Sequence, residues 1–340
     1  MALKSIKYQY AIKTYRRGKM IKYLKVLLLG LTIGTSCLIA SQNLSHTQRT
    51  SSFEQAKQNL IEKIKTRGDL PYISVKQQLE LVDQLSEFEL GRFMIERGGL
   101  NGYWTHYVVT YPEMKKDKSF HELESFILNS APTCLAIQER YKIFKSQIKR
   151  HIHEGCSFAS IPCGVMGEFL DLDYKNLIDF SLSGIDIDPE TLAQAKEYAE
   201  KKKLSSHCHF FEKDAWALNL NNKFDLITSS GLSIYEPDDQ KVVQLYVQFY
   251  NALKPNGVLI ESFLTPPPFP GHVTEWLPSE FNPQDALMQK IVFMDVLDAK
   301  WQAYRTAETV KKQLQEAGFK EIVILYDKAH VFPTVVAKKS

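Results

Sequence analysis

Chemistry in this sequence gathers where a short apolar run breaks into glycine. Residues Ser157–Leu170 read SFASIPCGVMGEFL, an apolar strand entering a turn with Gly164 and Gly167 and then a helix. Such a turn lets a ligand approach the backbone closely. The next apolar run ends in GIDIDP, Gly184–Pro189, and places Asp186 22 residues beyond Gly164. A carboxylate at that spacing, at the end of a second strand, suits the two hydroxyls of a ribose. A glycine turn alone says little, because any strand-to-helix turn can use glycine. Strand, turn, helix, strand and acid in register point to a nucleoside cofactor. Asp186 could instead cap the following helix, but Asp188 already stands at that position, with Pro189 suited to the first turn.

The elements that must hold these residues follow from periodicity. After Glu154, short apolar runs alternate with amphipathic stretches, the pattern of a parallel sheet with crossover helices. Strands are expected at 157–162, 181–187, 206–212, 224–229, 256–263, 320–327 and 330–336, with helices at 166–175, 189–203, 238–253 and 306–317. The link between the last two strands, around Asp327 and Lys328, is too short for a crossover helix, so they should pair antiparallel. From about Ser52 to His153 the pattern is helical. Ser74 to Gln77 reads as a capping box ahead of Leu79, Leu81, Val82 and Leu85, and further helices are expected at 119–129 and 134–152. The stretch GGLNGYWT, Gly98–Thr105, reads as tight turns rather than regular helix.

Composition narrows the classes. The chain has 340 residues, ample for a sizeable core, and 42 Lys and Arg against 39 Asp and Glu leave a formal charge of +3. That balance does not mark a general nucleic-acid binder. The 5 cysteines are odd in number and hold no C-x-x-C pair, which excludes a disulfide framework or zinc ribbon. His207, Cys208 and His209 cannot share one face of a strand, so no metal site is expected. Residues 1–50 stand apart: basic residues from Lys4 to Lys25 precede the apolar run Val26–Ala40, with no charge until Arg49. This leader reads as a signal peptide or a short anchor making membrane contact through residues 24–44, slightly short of a comfortable span. An anchor would leave the catalytic domain cytoplasmic. A signal peptide would export it, and a later translation start would make the leader an artefact.

Residues 155–340 resemble the class I S-adenosylmethionine-dependent methyltransferase family. The turn Ile161–Gly167 is similar to that family's glycine-rich first motif, and Gly184–Pro189 to its acidic second one. FEKDAW, Phe211–Trp216, resembles the segment that holds the adenine. FDLITSSG, Phe224–Gly231, resembles the fourth-strand motif, while Ala252–Ile260 and Ala317–Phe319 match the approaches to the last strands. The resemblance implies a Rossmann-like α/β fold, a seven-stranded sheet with an antiparallel terminal hairpin over 154–340. A helical lid over 51–153 would precede it. It also implies a cofactor site of Pro162, Cys163, Gly164, Gly167, Asp186, Ile187, Asp214, Ala215, Ser229 and Ser230. Asp186 would accept from the ribose, and Asp214 with the Ala215 amide would read the adenine edge. Asp214 could also be an ordinary loop acid, and Ser229 and Ser230 plain turn serines. One departure stands out: the family's acid near the end of the first strand is missing, and Pro162 opens the turn without an amide donor.

Methyl transfer from a sulfonium is an in-line displacement that gains much of its rate from positioning and exclusion of water. A base is needed only when the acceptor must lose a proton. Tyr235 and Glu236 are positional candidates, with His106 and His272 weaker ones, and each could simply line or brace the pocket. Tyr103, Trp104 and Thr105 would either pack on the core or fold over the cofactor mouth as a lid. Pro266 to Trp276 and the insertion 277–305 would form the opposite wall. A lid favours a small-molecule acceptor. Three readings compete with the enzyme: a cofactor-binding scaffold without turnover, a platform for interactions, and an NAD-type dehydrogenase. The terminal hairpin disfavours the last.

Overall fold

The computed structural model describes residues 46–114, 121–268 and 273–340. The leader and its proposed contact through residues 24–44 lie outside the described residues, as does His272. Among the described residues no helix is long and apolar enough to cross a membrane.

Six helices come first: α1 His46–Arg67, α2 Val75–Leu85, α3 Glu89–Arg97, α4 Gly102–Thr110, α5 Glu122–Asn129 and α6 Pro132–Lys149. The capping box at α2 forms: the Gln77 amide donates to Ser74 Oγ, and the Gln77 side chain accepts from the Ser74 amide. The expectation of turns over Gly98–Thr105 is corrected. Gly98 is indeed a left-handed cap, at φ 64°, ending α3, but Asn101 then starts a new helix. Asn101 Oδ1 accepts from the Trp104 amide at 3.0 Å, which satisfies one of the amides a helix start leaves free. Glycine at the first helical position costs little there once a cap holds the turn.

The sheet follows: β1 Cys156–Ser160, β2 Phe180–Asp186, β3 Cys208–Glu212, β4 Phe224–Ser229, β5 Leu253–Ser262, β6 Lys320–Leu325 and β7 Thr334–Lys338. Their spatial order is β3-β2-β1-β4-β5-β7-β6. The first five are parallel, and β7 runs antiparallel between β5 and β6. The expected architecture is therefore present. Crossovers include α7 Gly167–Leu170, α8 Pro189–Lys201, α9 Asp239–Ala252 and α11 Ala307–Glu316. The helix expected at 166–175 closes after one turn, and its C-terminal end is replaced by loop.

The period-two alternation of the strands divides the core. Phe158 and Leu182 face Phe144, Phe169 and Ala195 on one side of the sheet, while their neighbours Ala159 and Ile185 face Tyr246, Phe249 and Leu314 on the other. A third core joins the N-terminal helices to the segment after β5. That segment holds α10 Pro283–Gln289 and a π-helical turn, Lys290–Val296. Val82, Leu85, Leu90 and Met94 pack there with Val292, Phe293 and Val296. The insertion is thus folded onto the helical half, over the carboxyl ends of the strands, where ligands bind in such sheets.

Candidate active site

The turn after β1 is shaped by close approach. Gly164 adopts φ +49°, and a Cβ built on Gly102 would fall 2.5 Å from the Gly164 Cα. Only glycine fits this crossing, where the first turn of α4 rests on the turn after β1. The Ile161–Pro162 peptide is cis. Asp186 ends β2 with its side chain 9% exposed and accepts from the amides of Gly164 at 3.4 Å and Asp188 at 3.1 Å. Burial pushes its pKa up, while those amides pull it down. A buried carboxylate with spare lone pairs calls for further hydrogen-bond donors.

Together these residues border a cleft of about 340 Å³. Pro162, Cys163, Gly164, Gly167, Asp186 and Ser230 line it, as do Tyr235, His106 and Thr105. Ile187, Asp214, Ala215, Ser229, Tyr103 and Trp104 do not. Ser229 is buried under the strand end at 1% exposure, and Asp214 caps the next turn by accepting from the Trp216 amide at 2.9 Å. Tyr103 and Trp104 pack edge to face, Trp104 against Tyr107 as well, on the side of α4 away from the cleft lining.

The acid missing from β1 returns from elsewhere. Glu168, in α7, lines the cleft and accepts from Ser160 Oγ at 2.5 Å and from Thr228 Oγ1 at 2.9 Å. It therefore ties the ends of β1 and β4 together, and burial raises its pKa against those two hydrogen bonds. His106 is held rather than free. Its Nε2 lies 3.2 Å from Asp171 Oδ2, which also accepts from Tyr141 at 2.6 Å, while Asp171 Oδ1 accepts from Tyr198 at 2.7 Å and Lys202 at 2.5 Å. Burial would push Asp171 up, but the hydrogen bonds from His106, Lys202, Tyr141 and Tyr198 win and hold it well below the carboxylate range. This five-residue cluster pins α4 to α6 and α8.

A second, apolar cavity of about 80 Å³ opens beside the first. Met94, Ile127, Ile137, Phe293, Trp301 and Phe332 are among its walls. The expected opposite wall is corrected: among the described residues of 266–305 none lines the cleft, and only Phe293 and Trp301 of the insertion reach the apolar cavity, where a Gly99 Cβ would stand 3.2 Å from the Trp301 ring. Leu100, Thr105, Arg140, Ser230, Gly231 and Tyr235 border both spaces. Tyr235 keeps 47% of its surface free, and the protein massed about its phenol raises its pKa against the pull of Arg140. Sequence reasoning missed Glu168, Arg140, Asp188 and Thr191. For the last two, the register beside Asp186 was the available signal. For Arg140, mid-helix, there was none. Among the described residues no cluster of potential ligands could hold a metal.

A family model described as a methyltransferase domain matches residues 152–318. The five parallel strands, the glycine turn and the acid ending β2 lie within that span. The chain belongs to the class I S-adenosylmethionine-dependent methyltransferase family. S-adenosylmethionine is accordingly this methyltransferase's cofactor, and Asp186 with the Gly102–Gly164 crossing offers the cradle it requires. The methyltransferase is 39% identical to a protein of Bordetella parapertussis described as "a possible exported protein", with 88% of this chain and 99% of that chain covered at a TM-score of 0.81. Phosphoethanolamine N-methyltransferase 2 of Haemonchus contortus, solved with S-adenosyl-L-methionine, is 16% identical, with 58% and 52% covered and a TM-score of 0.44. A methyltransferase of Methanosarcina mazei is 16% identical, with 57% and 96% covered and a TM-score of 0.41. No curated protein matches the sequence.

Proposed function

We propose that this methyltransferase acts on a small molecule held between α4 and the end of β4. The observation that carries the reading is the continuity of a polar cavity containing Asp186 with an apolar one, through Thr105, Ser230, Gly231 and Tyr235. A polymer would need an open groove, whereas α4 and the insertion cover this space. In this reading Asp186 accepts from the ribose, and the amides near Gly164 approach the cofactor. Pro162, Cys163, Gly167 and Ser230 shape its wall, and Ile187, Asp214 and Ala215 flank the adenine end. When bound, S-adenosylmethionine supplies an electrophilic methyl on a sulfonium. The protein's own contribution is to align the acceptor and keep out water, with α4 locked over the mouth through His106 and Asp171. Tyr235, with its raised pKa, serves as a hydrogen-bond donor at neutral pH and not as a base. His106 braces the lid.

Calorimetric titration of the full chain with S-adenosylmethionine and with NAD, beside Asp186→Ala, tests the binding half. Saturable binding of the sulfonium alone, weakened at least tenfold by the substitution, is expected. A folded protein that binds neither sinks the proposal, and binding without methylation of any small acceptor favours the scaffold reading. The name of the Bordetella relative supports the export alternative for the leader over the anchor. A reporter fused after Ser340, active on one side of the membrane only, distinguishes them.

A further inference from the structure

Arg140 is the one charged side chain placed between the two cavities whose partners do not account for it. It sits mid-way along α6, 4% exposed, and borders both spaces. Its Nη1 donates to Ser262 Oγ at 3.2 Å, and its guanidinium lies 4.3 Å above the Phe332 ring. Among the described residues it forms no ion pair, although four further N–H donors remain. The acids whose charge reaches it are already engaged. Glu168 accepts from Ser160 and Thr228, Glu261 from Tyr246 at 2.6 Å, and Asp327 from the amides of Val331 and Phe332. Burial lowers its pKa to about 10, so it stays charged at neutral pH. A guanidinium that lines both cavities with donors unused suits a ligand able to accept from them.

Its location says which ligand. Ser262 ends β5, two strands from β1, and Gly231 lies so close that a Cβ there would stand 3.3 Å from Arg140 Nη1. The apolar cavity on this side contains none of Pro162, Gly164, Gly167 or Asp186. We infer that Arg140 receives the carboxylate of the methyl acceptor, whose apolar body enters the space among Met94, Ile127, Phe293 and Trp301 from the shared border with the cleft. The fork of a guanidinium matches two carboxylate oxygens. The cavity is smaller than the roughly 150 Å³ that holds benzene in an apolar core, so the charged end must reach out to the boundary where Arg140 stands. This inference rests on the methyl-transfer reading of the same cleft.

The test uses the full chain saturated with S-adenosylhomocysteine, titrated with benzoate and with its neutral isostere benzamide. Benzoate should bind at least tenfold more tightly, as a charge-assisted pair implies. Arg140→Gln should abolish the preference, and Met94→Trp, which leaves the guanidinium in place and fills the cavity, should weaken benzoate at least tenfold. Equal binding of the two probes overturns the inference, as does binding of neither to a protein that binds S-adenosylhomocysteine. A preference that survives Arg140→Gln does the same, as does benzoate affinity left unchanged by Met94→Trp. If Arg140→Gln fails to fold, the wild-type ratio and Met94→Trp decide. Loss of S-adenosylhomocysteine affinity in Arg140→Gln with 5′-methylthioadenosine affinity kept would hand the residue to the cofactor's own carboxylate, again overturning it. Failure of the wild type to bind S-adenosylhomocysteine strikes instead at the methyl-transfer reading.

Discussion

The two halves of the cleft are built on different principles. The half around Asp186 is made by neighbours in sequence: strand, turn, helix and strand between Ser157 and Pro189. The half around Arg140 and Phe293 is assembled from α3 to α6 and from the segment following β5, which lies more than a hundred residues further along the chain. One half presents backbone and carboxylate, the other apolar side chains with one cation. The comparison teaches that a glycine turn with its carboxylate is built locally, whereas an apolar cavity is pieced together by packing.

The sharpest way to break the contrast is at its seam. Gly102→Val must force α4 off the turn after β1, since even a Cβ would collide with Gly164. Turnover of any identified acceptor should fall more than a hundredfold and S-adenosylmethionine affinity about tenfold by calorimetry, while circular dichroism stays native. Retention of both would show that α4 does not cover the mouth. Next comes the brace. Asp171→Asn removes the charge and one of the two oxygens that accept from His106, Tyr141, Tyr198 and Lys202, and should cost roughly 2–3 kcal/mol in denaturant melts. Hydrogen exchange should rise first in α4. Because Asp171 is held low in the fold, its stabilisation is complete above the ordinary carboxylate range and fades as pH falls below it.

Glu261 separates the two halves from the sheet beneath them. It is 1% exposed, and burial raises its pKa to about 7. The native protein therefore binds an extra proton, and stability present below the ordinary carboxylate pKa is lost as pH rises through about 7. Glu261→Gln should flatten that decline and raise the melting temperature by a few degrees at pH 8, with little change at pH 5. The smallest effect is expected at Tyr235. Tyr235→Phe should lower kcat/KM less than about threefold if the phenol only lines the junction, and a hundredfold loss with an altered pH profile would restore it as a base.

The parallel sheet, its terminal hairpin and the capping of α2 were legible because each is written in short-range pattern. Even the missed helix α4 has its signal in plain view, Asn101 three residues before Trp104, masked by a glycine-rich context that reads as turn. Asp186 was legible for the same reason, while Glu168 was not: its carboxyl reaches Ser160 only once α7 folds back over β1. His106 read as a weaker candidate base that could also brace the pocket, and what decides for the brace is Asp171, 65 residues away at the end of α7.

By itself, the sequence determined the sheet, the glycine turn and the carboxylate ending β2, since period-two apolarity and turn chemistry act over a few residues. Only the tertiary structure decided that the insertion after β5 walls the apolar cavity, that His106 is bound, and that Arg140 stands buried without an ion pair among the described residues. Those outcomes depend on which distant side chains meet when apolar faces are buried together, and burial is a property of the assembled fold.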